Sequence, residues 1–365
     1  MDISIIGDFR DQVNSKGFVY FWYRSRDDRN LWNCICSAMD WITVAVEHIN
    51  SVDLEKARSM GSMDVFTYIS SVDLIIESVQ QLHRVISDKT PFPFTDSTDI
   101  FADNQFEQND LRYFKTLRSC FGAHPVNLKE PGQEESQDLR RFASWSSTAW
   151  GKGTASVILY PNKPGGKDIY LSVDLSQVFR FGEKYYDYLK VLGECIDKQY
   201  ESFVALKRKK IIPTPEDTIE HLEVLLEESK QRLDSGILES QIQELKILFA
   251  TEVTDKANIA LVAAYRQDLH LLIDEIHAFL QNMDMEDLEH EDLLYPSPTT
   301  LPNGWGYWRE KITEYVFGGG YPPQLWDSQV LKIIEPYVNP VYASYEELYL
   351  LFQATLYHIQ RQEQK

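Results

Sequence analysis

Residues 63–88 read Met63-Asp-Val-Phe-Thr-Tyr-Ile-Ser-Ser-Val-Asp-Leu-Ile-Ile-Glu-Ser-Val-Gln-Gln-Leu-His-Arg-Val-Ile-Ser-Asp88. Val65, Ile69, Val72, Ile76, Val79, Leu82 and Ile86 recur in steps of three and four. That period places them on one stripe of an α-helix, which must bury the stripe against other elements. Residues 29–50 carry the same signal through Trp32, Ile35, Met39, Ile42, Val46 and Ile49. Two long amphipathic helices in succession set the fold class as mainly α.

Working outward, a loop rich in Pro and Asp spans about 91–106. A third helix is expected over 107–121, burying Leu111, Phe114, Leu117 and Phe121. Pro125 cannot continue it and disfavours helical backbone at His124. The stretch 126–153 is polar, rich in Gly, Ser and Trp, and reads as a long loop. The period then changes to two. Ala155, Val157 and Leu159 alternate with Ser156, Ile158 and Tyr160, and Ile169, Leu171 and Val173 alternate with Tyr170, Ser172 and Asp174. This predicts a β-hairpin insertion near 153–174.

Helical period returns from about Ser176 to Lys209. Thr214 as N-cap, Pro215 at the first position and Glu216-Asp217 in the first turn predict a helix start. Further helices are expected over 215–233, 237–250 and 255–282. The last 75 residues turn aromatic and Pro-rich, with helices expected over 305–317, 327–337 and 344–361. The domain reading is a helical bundle over 1–210, a helical extension over 211–290 and a small aromatic-rich helical unit over 291–365.

Hydrophobic residues make up 43% of the 365 and aromatics 13%, so the chain can bury a core. Its formal net charge is −20. Nucleic acids are polyanions, so non-specific coating of DNA or RNA is excluded and any RNA must enter a local positive pocket. No secretory signal or run of about 18 apolar residues is visible, and a cytoplasmic location with no membrane contact is expected. The four cysteines, Cys34, Cys36, Cys120 and Cys195, form no C-x-x-C pair, which fits free thiols. No Walker-type, dinucleotide or Gly-x-Ser-x-Gly loop is present, and no cofactor is expected.

The chemistry centres on Tyr113-Phe-Lys-Thr-Leu-Arg118-Ser-Cys-Phe-Gly-Ala-His124-Pro125. Arginine is permanently charged and can hold a phosphate by two parallel hydrogen bonds. Histidine can move a proton near neutral pH. Together they could hold a phosphodiester and shift the proton of the 2′-hydroxyl. Six residues of regular helix would set the two side chains about 120° apart. They converge only if the helix ends between them, which Gly122 and Pro125 favour, or if each meets its counterpart from a second chain across a two-fold axis.

This Arg-x5-His pattern at a helix end, among long amphipathic helices, resembles the HEPN superfamily over roughly residues 28–210. The resemblance implies an all-helical bundle, usually dimeric. It also implies a metal-independent endoribonuclease of the kind found in toxin–antitoxin, abortive-infection and other defence systems. Arg118 would contact the phosphate and His124 would handle the proton. The residue after the family's arginine is commonly Asn, Asp or His. Here it is Ser119, a hydroxyl that does not titrate, so a non-catalytic binding or scaffold protein with a protein partner is the alternative expectation.

Asp73 and Glu77 lie four apart on the second helix. They could serve acid–base chemistry or orient Arg118, with Glu77 taken as the polar partner in the groove, or form only a solvated face. Lys207, Arg208, Lys209 and Lys210 form the basic run. It could grip RNA phosphates or simply close a helix C-terminus favourably. His270, Asp274 and His277 share one helix face at metal-ligand spacing, but no fourth ligand is evident and no metal is expected. The aromatic C-terminal segment could stack bases, or form a core.

Overall fold

The apolar stripe of residues 63–88 becomes one face of a 25-residue helix that is buried along its length. The computed structural model describes residues 1–54, 60–87, 90–123, 125–129, 140–145, 154–232, 236–284, 288–301, 304–318, 320 and 323–364. The protein is mainly helical, with one small antiparallel sheet. Among the described residues no helix is long and apolar enough to cross a membrane. The chain divides into two compact units, Met1–Glu201 and Ser202–Lys365.

In the first unit the helices are α1 (Ser4–Asn14), α2 (Phe18–Tyr23), α3 (Leu31–Ser51), α4 (Ser62–Ile86), α5 (Asp110–Arg118) and α6 (Leu175–Lys209), whose last turns belong to the second unit. The α3 stripe is buried at Ile35, Met39, Ile42, Val46 and Ile49, as its period requires. On α4, Val65, Ile69, Val72, Ile76, Val79, Leu82 and Ile86 are all buried. Each such side chain removed from water contributes about 1.5–3 kcal/mol, which offsets the entropy of fixing two long helices.

Helices α1 and α2 carry no expectation from the sequence reading above. They are bound to α6 by specific hydrogen bonds. Tyr186 Oη accepts from Ile6 N at 3.1 Å and donates to Asp2 O at 2.8 Å. Tyr23 Oη donates to Gln199 Oε1 at 2.7 Å. Gly193 on α6 admits α1 closely, since a Cβ there would stand 1.9 Å from Gln12 Oε1.

The Pro- and Asp-rich loop is held by a buried carboxylate. Asp110 at the start of α5 is fully buried and accepts from Phe101 N at 2.9 Å, Ile100 N at 3.2 Å and Ser97 Oγ at 2.8 Å. Asn109 caps the helix by accepting from Arg112 N. The helix therefore begins at Asp110, later than the periodicity suggests, and passes at Arg118 into a π-helical segment over Ser119–Ala123.

The sheet has four strands, not two: β1 (Leu128–Lys129), β2 (Arg140–Trp145), β3 (Thr154–Pro161) and β4 (Ile169–Asp174), in that order and all antiparallel. The hairpin β3–β4 falls where the alternation placed it, with Leu159 opposite Ile169 and Ala155 opposite Val173. Strands β1 and β2 lie inside the stretch read as a long loop. Phe142 and Trp145 give β2 only a broken alternation, and pairing to β3 supplies its order, with Phe142 opposite Tyr160. Val157, Leu159, Leu171 and Val173 form the buried face.

The second unit contains α7 (Thr218–Arg232), α8 (Gly236–Ala250), α9 (Ile259–Asn282), α10 (Glu291–Leu294), α11 (Trp305–Val316), α12 (Asp327–Ile334) and α13 (Tyr345–Glu363). It takes in both stretches read separately as 211–290 and 291–365. Helix α7 starts at Thr218 rather than Pro215, because Asp217 accepts from Glu220 N at 2.9 Å. Helix α13 is buried from Glu347 to Tyr357, as expected of a central helix that is apolar nearly all round. Its N-cap Ser344 accepts from Glu347 N, and Glu347 in turn accepts from Thr254 N and Ala343 N, both at 2.7 Å.

Candidate functional site

Arg118 is the last residue of α5, and the chain then makes a π turn over Ser119–Ala123. Three contacts fix this end against α4. Lys115 Nζ meets Glu77 Oε1 at 2.9 Å. Arg118 Nε meets Asp73 Oδ2 at 2.8 Å. Gly122 lies under the Phe66 ring so closely that a Cβ would stand 2.0 Å from Phe66 Cδ2. Phe66, Asp73 and Glu77 share one α4 stripe by their helical spacing, and they meet Gly122, Arg118 and Lys115 in reverse order. The two segments thus run antiparallel in a defined register.

Asp73 is the partner of Arg118, and Glu77 engages Lys115 instead. Asp73 is also not on a solvated face: its side chain is 8% exposed, against 43% for Arg118. Burial raises the Asp73 carboxyl above its ordinary value, with Arg118 pulling the other way, Glu77 adding to the rise and Lys115 opposing it. Its Oδ1 is buried and has no hydrogen-bond partner among the described residues. The pairing engages the inner edge of the guanidinium through Nε. The two terminal nitrogens have no protein partner among the described residues, and together they form a fork suited to a phosphate.

Ser119 is committed to the helix end, where its Oγ donates to Lys115 O at 2.9 Å. Cys120 is buried, and burial pushes its thiol up to about 12, so it supplies no thiolate at this site. His124 lies outside the described residues. The chain beside it is anchored, since Pro125 O accepts from Ala143 N of β2 at 2.7 Å. Phe121 meets Trp145 edge-on, ring centroids 5.5 Å apart. The sheet therefore flanks the helix end that carries Arg118.

The basic run lies elsewhere, in the second unit, and is largely occupied there. Lys210 Nζ pairs with Glu228 Oε1 at 2.5 Å, and Arg208 Nε donates to Asn282 O at 2.6 Å. Lys207 sits over the Phe203 ring, its ammonium lowered by burial. Lys209 remains exposed. The buried Arg232 donates to Lys207 O at 2.9 Å and Lys210 O at 2.7 Å, while its Nε meets Glu228 Oε2 at 2.8 Å. This network closes the C-terminal turn of α6, while Arg208, Lys209 and Lys210 stay exposed.

His270 and His277 take different partners. His270 Nδ1 meets Arg266 O and its Nε2 meets Thr218 Oγ1. His277 Nδ1 meets His221 Nε2 at 2.9 Å, and burial lowers both of those imidazoles. No group of three His, Cys, Asp or Glu side chains that could hold a metal occurs among the described residues.

A concavity absent from the sequence reading lies in the second unit. It encloses about 520 Å³ and is lined by Glu244, Tyr295, Arg309 and Phe317, among others. Glu244 accepts from Tyr349 Oη and Gln353 Nε2, and burial raises its carboxyl. The signal was unreadable because Glu244 occupies an ordinary amphipathic helix and its partners are distant in sequence. Comparison of the chain with protein-family models, with curated proteins and with solved structures found no match.

Proposed function

We propose that this protein is an endoribonuclease of HEPN type, acting as a homodimer in a bacterial defence or toxin system. Its site would be composite, with Arg118 and His124 from both protomers facing one cleft. The observation that carries the reading is the held guanidinium: Asp73 meets Arg118 through Nε at 2.8 Å, and the Arg118 side chain stays 43% exposed at the last turn of α5. A side chain oriented in this way meets a phosphate with less loss of rotamer freedom.

The reaction class follows from the groups. His124 as a neutral imidazole takes the proton of a ribose 2′-hydroxyl, whose oxygen attacks the adjacent phosphorus. The bond to the 5′-oxygen breaks, and that oxygen receives a proton from an imidazolium, supplied by the second protomer in the composite arrangement. Arg118 balances the charge gathered on the phosphoryl oxygens. The products are a 2′,3′-cyclic phosphate and a 5′-hydroxyl. Nothing in the cycle calls for a metal.

Cleavage of single-stranded RNA in EDTA tests this directly. His124→Ala is expected to lose at least about a hundredfold in rate, the usual effect of removing a general base. Equal cleavage by both proteins, or none by either, would sink the proposal. The second reading, a binding protein without catalysis, draws on Ser119: its hydroxyl is spent on Lys115 O where the family commonly has Asn, Asp or His. It predicts a stable protein complex that survives His124→Ala.

A further inference from the structure

The two faces of the first unit's sheet differ in exposure among the described residues. Alternation sends Val157, Leu159, Leu171 and Val173 inward, each 2% exposed or less. The opposite face presents Phe142, Tyr160 and Tyr170 at 43%, 42% and 69% exposure. Register places them together: Phe142 is directly opposite Tyr160, and Tyr170 is opposite Ile158, one row along on the next strand. Strands lie about 4.8 Å apart, so the three rings span roughly 10 Å across three strands.

One stretch of this sheet's sequence is basic in an acidic chain. From Arg140 to Lys167 the sequence carries Arg140, Arg141, Lys152, Lys163 and Lys167 and no Asp or Glu at all, in a chain of net charge −20. Lys163 and Lys167 are exposed in the β3–β4 turn. Arg141 points to the inner side and pins that turn, donating through Nη1 to Lys167 O at 2.6 Å and Leu159 O at 3.3 Å. Asp168 directly follows that turn, Asp174 ends β4 and accepts from Ser176 N, and the sequence between β1 and β2 carries Glu130, Glu134, Glu135 and Asp138. The same sheet is joined to the Arg118 helix end through Ala143–Pro125 and Trp145–Phe121.

We infer that the outer face of this sheet is a stacking platform for unpaired bases of single-stranded RNA, with Lys163 and Lys167 gripping the adjacent phosphates. Exposed rings on an antiparallel sheet stack bases without reading sequence, and cations beside them hold the backbone. Duplex RNA keeps its bases paired and offers nothing to the rings. The inference rests on the ribonuclease reading for its substrate class, and it supplies what that reading lacks, a surface that selects single strands.

The test measures binding of a fluorescein-labelled 12-nucleotide oligouridine by anisotropy in EDTA, using the full chain carrying His124→Ala so that the probe stays whole. Phe142→Ala, Tyr160→Ala and Tyr170→Ala are each expected to weaken binding by roughly five- to a hundredfold. The pair Lys163→Glu and Lys167→Glu is expected to flatten the salt dependence. Binding to a 12-base-pair duplex should not respond to the aromatic substitutions. If Phe142→Ala unfolds the sheet, Tyr170→Ala carries the test, because its ring is mostly in solvent. Unchanged oligouridine binding by the aromatic variants overturns the platform even where Arg118-dependent cleavage persists. A shift from dimer to monomer in those variants, with RNA binding intact, would make the face a protein interface and also overturn it. Weakened binding alongside cleavage indifferent to Arg118→Ala keeps the platform and removes the ribonuclease reading.

Discussion

At the scale of single residues, the pairing of Arg118 with Asp73 sets a pH dependence whose sign can be worked out. Asp73 is buried and its carboxyl titrates above the ordinary value even beside Arg118. A folded-state carboxyl raised in this way favours the folded protein most at pH below the ordinary value. That advantage is lost as pH rises and the buried group ionises. Arg118 stabilises only the ionised form. Arg118→Ala should therefore cost little near pH 4 and on the order of 2 kcal/mol at pH 7. This lies below the about 3–5 kcal/mol typical of breaking a fully buried pair, because Arg118 is half in solvent. Urea melts at the two pH values measure it, and adding Asp73→Asn should recover most of the loss at pH 7. A cost independent of pH would show that Asp73 is not the partner that matters.

At the scale of elements, the antiparallel register of α4 with α5 and its π turn depends on one close approach. Phe66 occupies the space a Cβ at Gly122 would need. Gly122→Ala should destabilise the protein by about 1–3 kcal/mol, the usual cost of overpacking. Phe66→Leu in the same chain should return part of it, since a smaller side chain opens the contact. Thermal unfolding of the two singles and the double gives the coupling directly. If the double is no better than Gly122→Ala alone, the turn is held by something other than this packing. Element boundaries followed local capping. Asn109 and Asp217 start their helices by accepting backbone N–H groups, and these caps outweighed the Pro215 start expected from the sequence.

At the scale of the whole molecule, the proposed composite site requires two chains. Sedimentation of the full chain should give twice its 42.5 kDa at micromolar concentration. A monomer that still cleaves RNA would remove the composite arrangement while leaving the residues in place. The formal charge of −20 adds a constraint. On the ribonuclease reading, RNA approaches this acidic chain against long-range repulsion, so cleavage should be slow at low salt relative to a basic nuclease.

The sequence by itself determined the helical class, most long helices and the β3–β4 hairpin, because burial periodicity is a local property of the chain. Ile35 to Ile49 and Val65 to Ile86 had to be buried wherever their helices went. It also singled out Arg118 from residue chemistry and the nearby Pro125. Only the tertiary structure decided what Arg118 touches. Asp73 and Glu77 look equivalent on a helical wheel, and which of them meets Arg118 depends on the register set by Phe66 against Gly122. The same holds for β2, whose broken alternation is ordered by pairing to β3. It holds too for the basic run at 207–210, where Lys210 pairs with Glu228 and Arg208 donates to Asn282 O while Arg208, Lys209 and Lys210 stay exposed. Contacts between residues far apart in sequence carry no local signature, and those contacts assign the roles.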